Sequence, residues 1–381
     1  MQSSCEVAII GGGVIGLACA WRLAQAGARV QLFERGEIGR EASHAAAGML
    51  AAQCEAAVHP PTSLQPEYSD EPNAFFKLCL QSRDLYAAFA AELLDETGID
   101  VELSIQNSPT KDWREPGILY VSNSGDESVT ENFLAQRAFG QRAEYSDFNG
   151  SRALFLPNEG QVENRKLVAA LKKACEISGV VLNENQAAQP QDLANQFDAV
   201  LLCAGSWSTP DADETPIVRP VAGEVLAVRP PQRLEKIIYS RDVYLVPRRD
   251  GRVLIGATMA ERGFDKSVSS AAKTQLLNAA AALIPGAQNW PIEDHWAGLR
   301  PATINGLPIL GHVENQNYCD NLFVATGHFR NGILLTPITS QIMANCILND
   351  ASAPEEFSIS RFDSISGDSE KCGQGKQTSC A

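Results

Sequence analysis

Several features are missing from this 381-residue chain, and each absence removes a class of function. It has ten cysteines but no CxxC pair, and five scattered histidines but no HExxH. A metal centre is therefore not expected. Cys19, Cys203 and Cys346 lie inside apolar segments, where a reduced cysteine behaves as a small core residue, so a reducing cytoplasm is the expected compartment. Basic residues are in deficit, 31 Lys and Arg against 46 Asp and Glu, for a net charge of −15. Nucleic acid is excluded as a partner on electrostatic grounds. No run is long enough to cross a bilayer: Val7 to Trp21 is short and glycine-rich, Glu6 precedes it, and Arg22 follows. Neither stable membrane insertion nor a signal peptide is expected. There is no internal repeat.

The length suits about two domains with a substantial core. Val7-Ala8-Ile9-Ile10 reads as a buried parallel strand entering the turn Gly11-Gly12-Gly13. A helix follows from Val14 to Ala26 and stops at Gly27; Arg29 to Phe33 is a second strand, completing a βαβ unit. Further helices are expected over Asn73–Thr97, Asn164–Ser178, and from Gly332 or Ile333 to Leu348 with Pro337 in its first turn. Val180–Leu182 and Ala199–Leu202 are strands that resume the nucleotide fold. From Ile217 to Thr258 short β-runs separated by Pro and Gly indicate a mostly antiparallel sheet. Asp250-Gly251 reads as a two-residue hairpin turn. It would put Tyr244 opposite Ala257 and Asp242 opposite Met259, with Tyr244 and Met259 on one face. Residues 59–72 read as a surface loop.

Gly11-x-Gly13-x-x-Gly16 lies between strand and helix, as a dinucleotide fingerprint requires. The first glycine permits the turn, the second lets backbone approach a pyrophosphate, and the third allows close packing. Glu34 ends the second strand, placed to accept a ribose hydroxyl. Strand, helix, second strand and acid together make the motif specific, although it leaves FAD and NAD open. In so acidic a chain an anion must be held by individual cations. Arg300 and Arg330, in Gly-bounded turns beside apolar segments, suit that task.

GREASHAAAGML (39–50), CAGSWS (203–208), YLVPRRDGRVLIGATM (244–259), HWAGLRP (295–301) and GHFRNGILL (327–335) resemble, in order and spacing, the D-amino acid oxidase and glycine oxidase family. The resemblance covers nearly the whole chain apart from 59–72 and the tail. It implies an α/β fold (α+β overall): a Rossmann-like FAD-binding domain from 1–82, 147–214 and 297–362, and a discontinuous, mostly antiparallel substrate-binding domain from 83–146 and 215–296. Residues 363–381 are expected to be a disordered tail.

The resemblance also implies roles. Arg300 would pair with a substrate carboxylate, for which a guanidinium fork is well shaped. Tyr244 would donate its phenol proton to the same group, and Arg330 would be a second arginine near substrate and flavin. Met259 and Met49 would shape the pocket. Asp242 stands where family members carry a histidine, and would put a carboxylate on the pocket side. The implied cofactor contacts are Gly11, Gly13, Val14, Ile15, Gly16, Glu34 and Arg35; Ala42, Ser43, Ala47, Gly48 and Met49; Ala188 and Gly205; and Arg330, Asn331, Gly332, Ile333, Leu334, Leu335 and Thr336. His44, His295 and His328 read as structural.

The implied reaction is oxidation of glycine, or of sarcosine or a small D-amino acid, to its imine, with noncovalent FAD and molecular oxygen as acceptors. It yields glyoxylate and hydrogen peroxide, serves thiazole formation in thiamine biosynthesis, and allows a hand-off to thiazole synthase. A homo-oligomer is expected. The competing expectations are a D-amino acid dehydrogenase, a sarcosine oxidase, and a non-catalytic flavin-binding subunit.

Overall fold

Val7, Ala8, Ile9 and Ile10 are all aliphatic, and a strand apolar at every position must be covered on both faces. The computed structural model describes residues 4–60, 73–106, 113–122, 125–208, 218–314 and 319–362. It places Glu6–Ile10 inside a six-stranded sheet ordered Ile309–His312, Leu322–Thr326, Ala199–Leu202, Glu6–Ile10, Arg29–Phe33, Val181–Asn183. Only Ile309–His312 runs antiparallel to its neighbour. Helices Val14–Gln25, Ala74–Thr97, Asn164–Ile177 and Thr336–Asn349 share one apolar core over this sheet, built around Trp21, Tyr86, Leu171 and Met343.

Local chemistry sets the helix ends. The Asn73 side chain accepts the Phe76 N–H at 2.8 Å, and Gly98 closes the same helix in the left-handed conformation. Glu163 accepts the Lys166 N–H at 2.7 Å and starts Asn164–Ile177. The last helix departs from expectation by beginning at Thr336. Leu335 N–H reaches back four residues to Asn331, but Thr336 N–H reaches only three, to Ile333, so residues 332–335 form turns. Pro337 occupies the first helical turn, where no N–H is needed.

A second sheet of eight strands runs in the order Ile292–Thr303, Val218–Val228, Val253–Gly256, Tyr244–Pro247, Ile237–Tyr239, Ile118–Val121, Ser151–Leu156, Glu144–Phe148. It is antiparallel apart from the pairing of Ile237–Tyr239 with Ile118–Val121. Alternation sorts its side chains. Leu226, Leu245 and Ile255 pack against helix Ser270–Leu283, while Val225, Tyr244 and Val246 turn toward helices Ala52–Val58 and Glu127–Ala135.

The hairpin register corrects the sequence reading by one residue. Tyr244 lies opposite Gly256, not Ala257. Arg248 N–H bonds the Arg252 carbonyl at 2.8 Å, which leaves a three-residue loop, Arg249-Asp250-Gly251, with Gly251 at φ 89°. One extra loop residue moves every partner by one position.

The expected domain boundaries also move. Helix Ala74–Thr97 runs unbroken through 82/83, strand Glu144–Phe148 through 146/147, and strand Ile292–Thr303 through 296/297. Residues 147–156 thus belong to the eight-stranded sheet, and Tyr86, Phe89 and Leu93 belong to the core over the six-stranded one. The 214/215 boundary, most of the 59–72 loop and the 363–381 tail lie outside the described residues.

Candidate active site

The two sheets enclose a cavity of about 440 Å³ that runs from the glycine-rich turn to the eight-stranded sheet. At the turn, Gly11 has φ 110°, and a Cβ there would lie 2.5 Å from the Cys203 carbonyl oxygen. Gly16 is not in the cavity wall. Its Cβ would lie 2.0 Å from the Gly11 carbonyl oxygen, so its smallness serves packing. Gly11, Gly13, Val14 and Ile15 line the cavity, and Ser43 Oγ accepts the Val14 N–H at 2.9 Å. Glu34 accepts N–H groups from Gly12 at 2.8 Å and Gly36 at 3.0 Å, which fixes its carboxylate at the wall. Arg35 lies 3.6 Å over the Trp207 ring, and both face the cavity near Ala188 and Gly205. Bare backbone at a helix N-terminus with an acid beyond it has the chemistry of a dinucleotide cradle, so these residues fit FAD.

The loop holding Ala42, Ser43, Ala47, Gly48 and Met49 forms another wall. Buried Arg248 secures it from behind, donating to the Ala47 carbonyl at 2.9 Å, the Val162 carbonyl at 3.1 Å and Asn164 Oδ1 at 3.0 Å.

At the far end the pairing register sets one row across adjacent strands: Trp296, Val225, Gly256, Tyr244, Tyr239, Tyr120. Gly256 leaves an opening in that row, and the Tyr244 ring leans into it; a Cβ on Gly256 would meet the phenol oxygen at 2.5 Å. Arg300 is paired with Val221 and lies diagonally over Gly223, where a Cβ would meet its guanidinium at 2.2 Å. Two glycines therefore let an arginine and a tyrosine lie flat on the sheet and converge. Arg300 donates to the Thr258 carbonyl at 3.2 Å, and no carboxylate among the described residues pairs with it. Burial lowers its pKa, partly offset by the neighbouring Tyr244. Burial raises the pKa of Tyr244, with Arg300 opposing, so the phenol keeps its proton.

Arg330 is held differently. Its Nε donates to Glu55 at 3.0 Å and its Nη2 to the Tyr239 hydroxyl at 2.9 Å. The preceding residue, Phe329, has φ 47°, and this left-handed turn points the next side chain into the cavity. Burial opposes the charge on Arg330, but Glu55 outweighs it and the pKa is raised. His59 stacks edge-on against Tyr239, and burial together with Arg330 holds its pKa down to about 4.

Besides Gly16, five expected site residues lie elsewhere. Met259 is 57% exposed, lies beyond the end of strand Val253–Gly256, and is outside the cavity wall. Asp242 is exposed in the bend before strand Tyr244–Pro247 and is not among the residues of the cavity wall. Leu334, Leu335 and Thr336 are buried behind the wall, which at this point ends with Asn331, Gly332 and Ile333. The sequence reading missed Glu55, Gly223, Gly256 and Tyr239. A glycine inside a strand signals close approach by another group, and Glu55 is a lone acid in an alanine-rich helix.

His328 lines the cavity but turns its Nε2 to Thr339 Oγ1 at 3.1 Å, and His295 pairs with Glu224 at 2.9 Å. Among the described residues no cluster of His, Cys, Asp or Glu is arranged to hold a metal, and no helix is long and apolar enough to cross a membrane.

Known proteins share this architecture. The glycine oxidase of Geobacillus kaustophilus is 33% identical over 93% of this chain and 97% of its own. A crystal structure of glycine oxidase from that organism superposes with a TM-score of 0.80, at 31% identity, covering 94% of this chain and 99% of the other. The bifunctional protein ThiO/ThiG of Synechocystis sp. is 34% identical over 95% of this chain, which spans about half (55%) of that longer protein. The DAO family model, described as FAD dependent oxidoreductase, matches residues 6–346. The chain belongs to the DAO family of FAD-dependent oxidoreductases.

Proposed function

We propose that this protein oxidises glycine, and to a lesser extent sarcosine or small D-amino acids, to the imine. One observation carries the reading: Arg300, a guanidinium with no carboxylate partner among the described residues, lies beside the protonated Tyr244 at the end of a cavity that begins at a dinucleotide cradle. Arg300 supplies the charge and fork for an amino acid carboxylate, and Tyr244 adds one hydrogen bond. Together they fix the substrate carbon toward the cofactor, and most of the rate comes from that orientation. Bound FAD supplies two-electron acceptance, with oxygen as the final acceptor and hydrogen peroxide as product.

The reacting amine must be neutral, and binding favours its deprotonation. His328 is tied to Thr339 and His295 lies outside the cavity wall, so neither is assigned as a base. Gly332 and Ile333 line the wall just before the last helix, and their backbone N–H groups would stabilise negative charge on a reduced flavin. FAD is held without a covalent link. Cys203 is the one thiol in the described wall and lies under the Gly11 turn, while Cys319 packs away from the cavity.

The product imine serves thiazole formation in thiamine biosynthesis, and a thiazole synthase is its recipient. The similarity to one part of a bifunctional ThiO/ThiG protein supports this assignment. We place the protein in the cytoplasm as a homo-oligomer, its eight described cysteines reduced.

The test is the absorption spectrum of the FAD-loaded protein before and after anaerobic glycine, with sarcosine and D-alanine alongside. Bleaching by glycine at the lowest concentration is expected. An unchanged spectrum with all three amines would refute the proposal.

A further inference from the structure

Three charged side chains share the substrate end of the cavity: Arg300, Arg330 and Glu55. Glu55 is 5% exposed and projects from helix Ala52–Val58 into the wall, where both its oxygens face Arg330 at 3.0 and 3.3 Å. The remaining Arg330 contact, to Tyr239, is neutral. His59 is uncharged in the working pH range and Tyr244 is protonated. Arg248 lies behind the loop wall with its donors on carbonyls and Asn164. Among the described residues, this end of the cavity thus carries one net positive charge, on Arg300, and one cancelled charge, on Arg330.

Resting on the reading of this site as an amino acid oxidase, we infer that Glu55 is a specificity-determining residue that restricts the substrate to amines bearing a single carboxylate. One unpaired guanidinium neutralises one carboxylate. A second carboxylate would enter a desolvated space in which the other guanidinium is already neutralised, and would face Glu55 itself. Like charges brought together out of water are strongly unfavourable, and exclusion of a competing ligand by this means needs no added contact with the preferred one. Two arginines alone would make the cavity suited to a dicarboxylate. The buried acid reverses that preference.

The discriminating variant is Glu55→Gln, which keeps the side-chain shape and one acceptor oxygen for Arg330 while removing the negative charge. The probes are glycine and iminodiacetate, which is glycine carrying a second carboxymethyl arm on nitrogen. In FAD-loaded protein the ratio of kcat/KM for iminodiacetate to that for glycine should rise about tenfold or more in Glu55→Gln. A ratio that stays constant or falls, with glycine still oxidised by the wild type, overturns the Glu55 assignment and leaves the oxidase reading standing.

If the variant does not retain flavin, the wild type decides through ligand perturbation of its flavin spectrum at constant ionic strength. Acetate should bind at least about tenfold more tightly than malonate. Malonate binding as tightly as acetate overturns the inference. A wild type that neither binds acetate nor oxidises glycine overturns both readings.

Discussion

The guanidinium of Arg300 rests directly on the backbone of Gly223, so closely that a methyl group there would come within 2.2–2.5 Å of three of its atoms. The contact follows from pairing register. Arg300 is opposite Val221, and the diagonal neighbour on the same face is residue 223. Any side chain at that position must lift the arginine off the sheet.

Gly223→Ala should therefore act at a distance as a partial loss of Arg300. Displacing a positioning group by about 1 Å can cost about a hundredfold in rate, so KM for glycine should rise by about tenfold to a hundredfold while FAD stays bound. Arg300→Ala should be more severe, about 2–5 kcal/mol in kcat/KM, because it removes the whole desolvated charge partner. Steady-state kinetics on both variants checks this. Unchanged KM in Arg300→Ala would remove the carboxylate clamp from the proposal.

Gly256 stands to Tyr244 as Gly223 does to Arg300, with a Cβ falling 2.5–2.6 Å from the phenol end of the ring. Tyr244→Phe should cost about 1.5–3 kcal/mol in kcat/KM, the worth of one hydrogen bond to a charged group. Gly256→Ala should cost at least as much in the wild type and far less in a Tyr244→Ala background. A double-mutant cycle reads that coupling. Additive effects would show that Gly256 matters for some reason other than the tyrosine.

The part of this fold written in local pattern was legible in the sequence. The strand, turn, helix and second strand from Glu6 to Phe33 follow from apolar runs and glycine placement, and Asn73 and Gly98 mark both ends of the long helix. The site was legible mainly through resemblance, since nothing in the spacing of Tyr244, Arg300 and Arg330 says that they meet. Met259 was misplaced because the hairpin pairing stops at Gly256, short of it, and the Arg248–Arg252 hydrogen bond makes the loop three residues long rather than two. Leu334 to Thr336 were misplaced because the start of the last helix depends on which carbonyl each N–H selects. Glu55 was invisible because its partner, Arg330, lies 275 residues away in sequence.

Acid should weaken the fold through His328. Burial holds its pKa down to about 3, below the ordinary value of 6.5. The unfolded chain therefore binds a proton that the folded chain refuses between those two values. Stability contributed by the neutral ring is full above pH 6.5 and is lost as pH falls toward 3, at roughly 1.4 kcal/mol per pH unit. His59, held down to about 4, adds in the same direction over a narrower window. Urea midpoints between pH 4 and 7 should fall less steeply in His328→Gln than in the wild type. Parallel slopes would mean that other groups dominate acid unfolding.

The helix that presents Glu55 depends on a buried ion pair outside the cavity. Glu159 is fully buried, accepts the Gln53 N–H at 3.1 Å at the start of helix Ala52–Val58, and meets Arg83 Nη1 at 2.8 Å. Burial pushes its pKa up to about 7 even though Arg83 and the helix N–H groups oppose the shift. Arg83→Met would strand this carboxylate without its cation, and removing one partner of a buried pair typically costs about 3–5 kcal/mol. The loss should be largest at pH 8.5, where the carboxylate is ionised, and smaller at pH 5.5, where it can take up a proton. Adding Glu159→Gln to Arg83→Met should restore much of the stability at pH 8.5, because the stranded charge is gone. Glycine turnover should recover with it, since the same helix holds the acid that fixes Arg330. An Arg83→Met protein equally destabilised at both pH values would show that lost packing, rather than an unpaired charge, is the cause.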